Sequence, residues 1–242
     1  MKALLLAAGL GERLKPITNT IPKCLVPVNG KPLLGYWLDL LSLAGITHFY
    51  INLHYHADAV RTFIDSSPHK KNITCIEEEE LLGTGGTLKK NAQHFLDEPF
   101  LLAHADNLCL TDFPAFIKAH KERMAGTAIT MMTFIPPDPR QCGVVQLDHN
   151  NLVTEFYEKV ENPPTNLANG AVFIMEPEVA LYAMSINKKH FEISLDIIPQ
   201  FTGRILAWEN ADYHLDIGTP ETYQKAENDK HLVQSLYHQF GS

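Results

Sequence analysis

The beginning of the chain restricts its fold more than any other stretch. Residues 2–7 form an apolar run that is too short for a buried helix and is typical of a buried β-strand. Gly9 and Gly11 follow at once, and glycines let backbone N–H groups point at a ligand where a side chain would block them. Arg13 and Lys23 add two cations to the same region. A strand that runs into a glycine turn with basic residues predicts a phosphate-binding loop.

Two known glycine motifs do not fit this loop. The P-loop ends in Gly-Lys-Ser/Thr, and no such tripeptide follows Gly11. A dinucleotide-binding motif would have a third glycine where Leu14 stands, and an acidic residue near Asn52 and His54 at the end of the second strand. A bare Gly-x-Gly pattern is also compatible with a structural turn, but the two cations and their spacing favour a functional loop.

Composition and charge are those of a soluble globular protein. The 242 residues are 45% hydrophobic and 20% charged, enough for one large α/β domain. The formal net charge of −8 argues against a nucleic-acid surface, so phosphate-binding cations must be local. No apolar run is long enough to span a membrane, and the first run breaks at Gly9, unlike a signal peptide. The four cysteines lie far apart, which indicates reduced thiols and a cytoplasmic location.

Strand and helix patterns alternate in the first half of the chain. The predicted strands lie at 48–53, 73–77 and 100–103, and the predicted helices at 32–44 and 57–65. Such alternation predicts a parallel sheet covered by helices on both faces, with ligands outside the carboxyl ends of the strands. More closely spaced strands are predicted at 143–148, 152–157 and 171–175. They add antiparallel strands, so the predicted sheet is mixed. A last helix is predicted from about 221 to 238.

Two further segments place polar groups where a ligand would lie. Asp106 follows the strand at 100–103, and a carboxylate at that end of a parallel strand is a candidate Mg²⁺ ligand. The glutamates at 77–80 come just before three glycines in the stretch 83–86. This segment is either a solvated acidic run followed by a helix start, or a pocket. In a pocket, the glycines would close over a nucleobase and a carboxylate would read its edge.

Together these segments resemble the sugar-1-phosphate nucleotidylyltransferase family. The resemblance begins with LAAGLGERLKPIT at 6–18, Pro22-Lys23 and PVNGKP at 27–32. It continues in the family's order with LGTGG at 82–86, Gly143-Val-Val, Phe156-x-Glu158-Lys159, Asn169-Gly170 and Asp216-Ile-Gly-Thr-Pro220. The family's fold would be a three-layer α/β/α Rossmann-like fold with a mixed, mainly parallel central sheet. The chain is similar to short members, so one catalytic domain spanning 1–242, without a C-terminal β-helix domain, is expected.

The resemblance implies a role for each matching residue. Catalytic roles are assigned to Arg13, Lys23 and Asp106. Nucleotide contacts are assigned to Leu6, Ala8, Gly9, Gly11, Glu79, Gly83 and Thr84. Sugar-phosphate contacts are assigned to Gly143, Glu158, Lys159 and Asn169. Asp106 and Asp216 would hold Mg²⁺. Ala105 and Val160 stand where the family often has glycine and proline. Thr219 and Pro220 also predict a helix that starts directly after the second metal position.

The activity implied is Mg²⁺-dependent transfer of a nucleotidyl group from a nucleoside triphosphate to a sugar 1-phosphate. Pyrophosphate and a nucleotide sugar would be the products. The motifs are most similar to those of guanylyltransferases for mannose or manno-heptose 1-phosphate, so GTP is expected. An N-acetylmuramic acid 1-phosphate uridylyltransferase, or another uridylyl- or thymidylyltransferase, is the alternative within the family. A sugar-nucleotide-binding protein without activity is the alternative of another class. Neither a nucleic acid nor a membrane is an expected partner, and a homo-oligomer is left open.

Overall fold

The computed structural model describes residues 1–241. The strands are β1 (Lys2–Leu6), β2 (Pro27–Val28), β3 (Lys31–Pro32), β4 (His48–Leu53), β5 (Ile73–Glu77), β6 (Phe100–His104), β7 (Asn107–Leu110), β8 (Ile129–Phe134), β9 (Gly143–Leu147), β10 (Val153–Glu158), β11 (Ala168–Met175), β12 (Ile205–Glu209) and β13 (Tyr213–Asp216). The helices are α1 (Leu33–Leu43), α2 (Ala57–Ser66), α3 (Gly83–Asn91), α4 (Phe113–Glu122), α5 (Pro177–Ser185), α6 (Pro220–Asn228) and α7 (Lys230–Phe240). Within residues 1–241, no helix is both long and apolar enough to cross a membrane.

The chain forms two compact units. The first contains residues 1–81, 103–113 and 212–241. The second contains residues 82–102 and 114–211. Because the chain enters and leaves the second unit more than once, neither unit is a continuous stretch of sequence. The expectation of one catalytic domain over 1–242 stays a prediction, and each unit is described by itself.

In the first unit, β1 pairs in parallel with β4, and β4 pairs in parallel with β5. Ala3, Leu4 and Leu5 of β1 are completely buried. Burial on both faces is usual for a parallel strand and explains why β1 is a continuous apolar run rather than an alternating one. The predicted first strand and the predicted parallel pairing are therefore confirmed. These strands all end on the same side, where the glycine loop begins.

Two hydrogen bonds in the first unit fix the segment around Asp106. The N–H of Ala105 donates to the carbonyl of Leu6 at 3.0 Å, which ties this segment to the end of β1. The indole N–H of Trp37 on α1 donates to the carbonyl of Asn107 at 2.9 Å. Trp37 is 1% exposed, so it anchors the turn from within the core. The residues on both sides of Asp106 are thus fixed, one by the backbone of β1 and the other by a side chain of α1.

The C-terminal part of the first unit differs from the sequence prediction in two ways. β7 begins directly after Asp106 and pairs with β13 in an antiparallel ribbon, and this short strand was not predicted. The single helix expected from about 221 to 238 is two helices, α6 and α7, which meet at Asp229. The carboxylate of Asp229 accepts hydrogen bonds from Lys225 at 2.7 Å and from Tyr213 at 3.0 Å. These partners hold the break against β13, a contact that helical periodicity does not encode.

In the second unit, antiparallel pairs predominate. β9 pairs with β10 and β11, and β11 pairs with β8, all antiparallel. β12 pairs with β8 in parallel. The antiparallel strands predicted for the second half are confirmed, although β11 starts at Ala168, before the predicted strand at 171. The sheet therefore contains both parallel and antiparallel pairs, as the closer spacing of the strands in the second half of the chain predicts.

Asp39 on α1 joins three other parts of the first unit. Its carboxylate accepts a hydrogen bond from Lys31 at 2.6 Å and from Tyr237 on α7 at 2.5 Å. Nε2 of His69, which follows α2, lies 2.7 Å from the other carboxylate oxygen. Burial opposes ionisation of Asp39, but these partners outweigh it and lower its pKa below the ordinary 3.8. Asp39 therefore contributes most to the stability of the fold when its carboxylate is charged.

We expect Asp39→Asn to lower the free energy of unfolding by about 1–3 kcal/mol near neutral pH, the usual value of hydrogen bonds to a charged group. Because the pKa is lower in the folded state, this stabilisation is complete above about pH 4 and is lost as the pH falls further. Urea unfolding at about pH 7 and about pH 3 measures both effects. Asp58→Asn, at an exposed carboxylate paired with Arg61, is the control. Equal losses in the two variants would contradict this role.

Candidate active site

The glycine loop after β1 is closely packed. Gly11 has a φ of 64°, and a Cβ there would lie 2.8 Å from Cγ2 of Thr18 and 3.3 Å from Cβ of Lys23. The hydroxyl of Thr18, which is completely buried, donates to the Gly11 carbonyl at 2.6 Å. Both the backbone conformation and the space thus require glycine at this position. Thr18 was not singled out from the sequence, since a threonine in a loop carries no signal of burial.

Lys23 connects the two predicted metal ligands. Its Nζ lies 2.8 Å from Oδ2 of Asp106 and 2.8 Å from Oδ1 of Asp216. Nη2 of Arg13 lies 3.6 Å from Oδ2 of Asp216, and the Arg13 side chain is 69% exposed. The structure therefore brings together the four charged residues that the sequence assigned to phosphate and metal. Their chemical roles stay predictions.

Lys23 and Asp106 are both charged in this arrangement. Burial disfavours the ammonium of Lys23, but Asp106 and Asp216 outweigh it and raise its pKa above the ordinary 10.5. Burial also disfavours the carboxylate of Asp106, but Lys23 and then His104 outweigh that effect and lower its pKa below 3.8. The cation and the anion thus stabilise each other across the physiological pH range. A buried charge is maintained here because its partner is buried beside it.

A histidine stands two residues before each aspartate. His104 ends β6, and His214 lies on β13, opposite Cys109. Burial lowers the pKa of His214 to about 4, with a further contribution from His104 and an opposing one from Asp216. His214 is therefore a neutral side chain near neutral pH. Sequence reasoning gave neither histidine a role.

Gly218 has a packing role beside Asp216. A Cβ at Gly218 would lie 2.7 Å from Oδ2 of Asp216 and 3.0 Å from Nη2 of Arg13. The next residue, Thr219, caps α6 through a reciprocal pair of hydrogen bonds with Thr222. The helix start predicted at this point is confirmed. The Asp-Ile-Gly-Thr-Pro segment therefore combines a close approach of charged groups with a helix cap.

Gly9 allows the phosphate-binding prediction to be tested without disturbing the fold. A Cβ at Gly9 would lie 3.8 Å from Oδ2 of Asp106, an ordinary van der Waals distance. We expect Gly9→Ala to unfold at the same temperature as the wild type but to bind a nucleoside triphosphate at least about tenfold more weakly, since a methyl group would block the backbone from the phosphates. Calorimetric titration measures the affinity.

The control for Gly9→Ala is Gly35→Ala on α1. There a Cβ would meet Cε of Lys31 at 3.5 Å, again an ordinary contact. This variant should keep the wild-type affinity. Unchanged triphosphate affinity in Gly9→Ala would show that the loop is only a structural turn.

The two carboxylates fit a magnesium ion that is shared with a ligand. Oδ2 of Asp106 and Oδ1 of Asp216 face one common point, since each lies 2.8 Å from the same ammonium nitrogen. Among residues 1–241, no group of three or more His, Cys, Asp or Glu side chains is arranged to hold a metal ion. Mg²⁺ commonly takes one or two carboxylates together with substrate phosphates. The donor set therefore suits Mg²⁺ with phosphate oxygens and does not suit an all-protein site.

The acidic run contains one buried member, Glu78. Glu78 is 4% exposed, whereas Glu79, which the sequence reasoning selected, is exposed. The side-chain amide of Asn52 donates to Oε1 of Glu78 at 3.3 Å and its oxygen accepts from the N–H of Ala7 at 2.7 Å. Ala7 lies between Leu6 and Ala8, both predicted to contact the nucleotide. The glutamate placed beside the glycine loop is therefore Glu78, which the sequence alone did not distinguish from its neighbours.

In the second unit, the Gly83 segment begins α3 and contacts the stretch around Phe191. Gly83 has a φ of 74°, and a Cβ at Gly85 would lie 2.4 Å from the Phe191 ring. The amide and hydroxyl of Thr84 donate to Oε2 of Glu192 at 3.0 and 2.6 Å. The helix start, one of the two alternatives for this segment, is present, and these glycines have a packing explanation. A role of Gly83 and Thr84 in binding a base stays a prediction.

Three of the residues assigned to the sugar phosphate lie together in the second unit. Glu158 at the end of β10 stands opposite Gly143 at the start of β9. A Cβ at Gly143 would lie 2.8 Å from Oε2 of Glu158, so glycine leaves room for this carboxylate. Lys159 has a φ of 50°, and its N–H donates to the carbonyl of Cys142 at 3.2 Å. Non-glycine residues at positive φ are uncommon and often occur at functional sites.

Asn169 lies on the neighbouring strand β11. It follows Ala168, which is paired with Val144 of β9. Its side-chain oxygen accepts from the N–H of Ala171 at 2.9 Å, where β11 departs from regular pairing. Gly143, Glu158 and Asn169 are therefore on adjoining strands of one unit, and Lys159 directly follows one of these strands.

Comparison with known proteins identifies the family. The model of the nucleotidyl transferase family matches residues 2–232. The UTP–glucose-1-phosphate uridylyltransferase of Synechocystis is 30% identical over 243 residues, covering 93% of this chain and 62% of that protein. The mannose-1-phosphate guanylyltransferase of Mycobacterium tuberculosis is 28% identical over 239 residues, covering 97% and 65%. The chain spans less than two thirds of the length of these curated relatives.

A solved structure agrees in fold and in length. HddC from Yersinia pseudotuberculosis, complexed with GMP-PN, has a TM-score of 0.77 and 29% identity, covering 94% of this chain and 98% of that one. The predicted α/β fold with a mixed, mainly parallel central sheet is confirmed, and so is the resemblance that the glycine loop and the later motifs indicated. The chain belongs to the nucleotidyl transferase family.

Proposed function

We propose that the protein joins a sugar 1-phosphate to the nucleotidyl group of a nucleoside triphosphate. The observation that carries this proposal is the cluster formed by Lys23, Asp106, Asp216 and Arg13 in the first unit. Relatives named as guanylyl- and uridylyltransferases of sugar 1-phosphates support it. A protein that only bound a nucleotide sugar would not need two cations and two carboxylates at one point.

The reaction requires charge neutralisation rather than a general base. An oxygen of the sugar phosphate, already an anion, forms the new bond to the α-phosphorus. The bond from that phosphorus to the bridging oxygen breaks, and pyrophosphate leaves with the electron pair. No proton needs to be removed from the nucleophile, so positioning and electrostatic stabilisation supply the catalysis.

In this proposal, each cation has a defined task. Lys23 contacts the α-phosphate, and Arg13 contacts the departing phosphates. Lys159 binds the incoming sugar phosphate, and Glu158 binds sugar hydroxyls. Asp106 and Asp216 would hold Mg²⁺, which would supply further positive charge to the phosphate oxygens.

We infer that GTP with mannose or manno-heptose 1-phosphate is the substrate pair. Relatives named as mannose-1-phosphate guanylyltransferases and the solved HddC structure complexed with GMP-PN support this choice. The uridylyltransferase relative supports the alternative of UTP. A pyrophosphate-release assay with four triphosphates and a set of sugar 1-phosphates distinguishes them. The highest kcat/KM should be obtained with GTP, and a strong preference for UTP or dTTP would contradict this inference.

The buried Glu78 offers a test of how the base is read. A carboxylate accepts hydrogen bonds from guanine N1–H and N2–H₂ together, whereas uracil offers a single N–H. We expect Glu78→Gln to reduce the preference for GTP over UTP by about ten- to hundredfold, since leaving a buried polar group unpaired costs about 1–3 kcal/mol. The exposed Glu79→Gln is the matched control and should leave the preference unchanged. Equal effects in both variants would exclude base reading by Glu78.

A cytoplasmic location belongs to the same proposal. The four cysteines Cys24, Cys75, Cys109 and Cys142 carry free thiols. Burial raises the pKa of the Cys24 thiol to about 12, which keeps it in the unreactive thiol form. Such thiols are usual in a reducing compartment.

A further inference from the structure

The ammonium of Lys23 lies between the two carboxylates that the proposed function assigns to the metal ion. It is 2.8 Å from each of the two carboxylate oxygens that face each other, on Asp106 and Asp216. The Lys23 residue is only 7% exposed. Its Nζ therefore lies at the end of a buried side chain, between two anions. These are the same carboxylates that would hold Mg²⁺ in the proposed function.

A divalent ion and this ammonium cannot both occupy that position. Mg²⁺ coordinates oxygen at about 2.0–2.1 Å, so an ion bound to both of these carboxylate oxygens would lie less than about 5 Å from the present position of Nζ. Like charges at such a distance repel strongly, most of all where little water can screen them. Either the metal or the lysine must therefore leave the two carboxylates.

The local charge balance determines when the lysine can leave. Two carboxylates and one ammonium have a net charge of about −1 at neutral pH, and the guanidinium of Arg13 lies 3.6 Å from Asp216. A free divalent ion added to this set would leave an excess of positive charge around the buried Lys23. A polyphosphate brings several negative oxygens, to which the ammonium can transfer. The long, flexible lysine stem makes such a transfer possible.

We propose that Lys23 fills the divalent-metal position in the ligand-free protein, so that the site binds the metal together with a polyphosphate rather than as a free ion. This inference rests on the proposed function for the identity of the metal site. Lys23 then has two successive partners, first the carboxylates and then the phosphates. It holds Asp106 and Asp216 together until the metal–polyphosphate complex replaces it.

Direct titration with Mn²⁺, without any nucleotide, tests this proposal independently of activity. We expect Lys23→Met to bind Mn²⁺ at least about tenfold more tightly than the wild-type protein, because the competing ammonium is gone. The exposed Lys15 lies in the same loop, and Lys15→Met should bind Mn²⁺ as the wild type does. The double variant Lys23→Met/Asp106→Asn should lose this increase in Mn²⁺ affinity. Equal or weaker Mn²⁺ binding by Lys23→Met would overturn the proposal.

A second measurement uses the wild-type protein, in case Lys23→Met does not fold. Inorganic tripolyphosphate should raise the affinity for Mn²⁺ at least about tenfold, after correction for the complex that the two form in solution. The variant Asp216→Asn should lack this increase. Mn²⁺ binding that is equally tight with and without tripolyphosphate would overturn the proposal. If these results hold but no nucleotide sugar forms, the proposed function fails and the role of Lys23 stands.

Discussion

Replacing Lys23 with alanine should lower kcat/KM for nucleotide-sugar formation by about two to four decades. This is the usual effect of losing one charge contact that stabilises a transition state. The structure adds a second cause, since the variant leaves Asp106 and Asp216 without the cation that lies 2.8 Å from both. Arg13→Ala should also lower kcat/KM within this range. Steady-state kinetics with saturating Mg²⁺ measures both.

Lys15→Ala is the matched control for both variants, because Lys15 is an exposed cation in the same loop. It should retain nearly wild-type kinetics, which would show that the losses come from position and not from a change in net charge. Near-wild-type turnover of Lys23→Ala or Arg13→Ala would contradict the phosphate-binding role of that residue.

Asp106→Asn and Asp216→Asn should each abolish turnover or greatly raise the Mg²⁺ concentration that turnover requires. Asparagine keeps the size of the side chain but lacks the charge that a hard cation prefers. Asp106→Asn should also lower the free energy of unfolding by about 1–3 kcal/mol, since the buried Lys23 loses a charged partner. Asp216→Asn should lower it less, because the side chain of Asp216 is 51% exposed. Activity assays and urea unfolding measure these effects.

The control for the aspartate variants is again Asp58→Asn, which removes a carboxylate from an exposed ion pair with Arg61. It should leave both activity and Mg²⁺ requirement unchanged. The wild-type enzyme should also lose activity when a chelator is added. Full activity in excess EDTA would rule out a metal at the two aspartates.

Local features of the structure follow directly from the sequence. The apolar run at 2–7 is the strand Lys2–Leu6, and the helix predicted after residue 32 is Leu33–Leu43. Thr219 caps α6 as its residue type and the following proline indicate. These elements depend on residues within a few positions of one another. Periodicity, capping and turn chemistry are therefore sufficient to locate them.

Elements that depend on distant partners were less well predicted. The strand Asn107–Leu110 has only four residues, and its partner Tyr213–Asp216 is about a hundred positions away along the chain. The sequence left Gly85 either at a helix start or in a base pocket, and it gave no sign that Gly85 packs against the ring of the distant Phe191. The buried member of the acidic run is Glu78, and burial depends on the neighbouring Asn52 and not on the run itself.

The sequence by itself determined which chemical groups the candidate site contains, namely a glycine loop, two cations and two strand-end carboxylates in the family's order. Only the tertiary structure decided that Lys23 lies between Asp106 and Asp216, which are 83 and 193 positions away along the chain. Spacing along a chain encodes local geometry, whereas a contact between distant residues depends on how strands, loops and helices pack. The residue type of Lys23 gives its charge, but its contacts with the two carboxylates result from the packing around β1, β7 and β13.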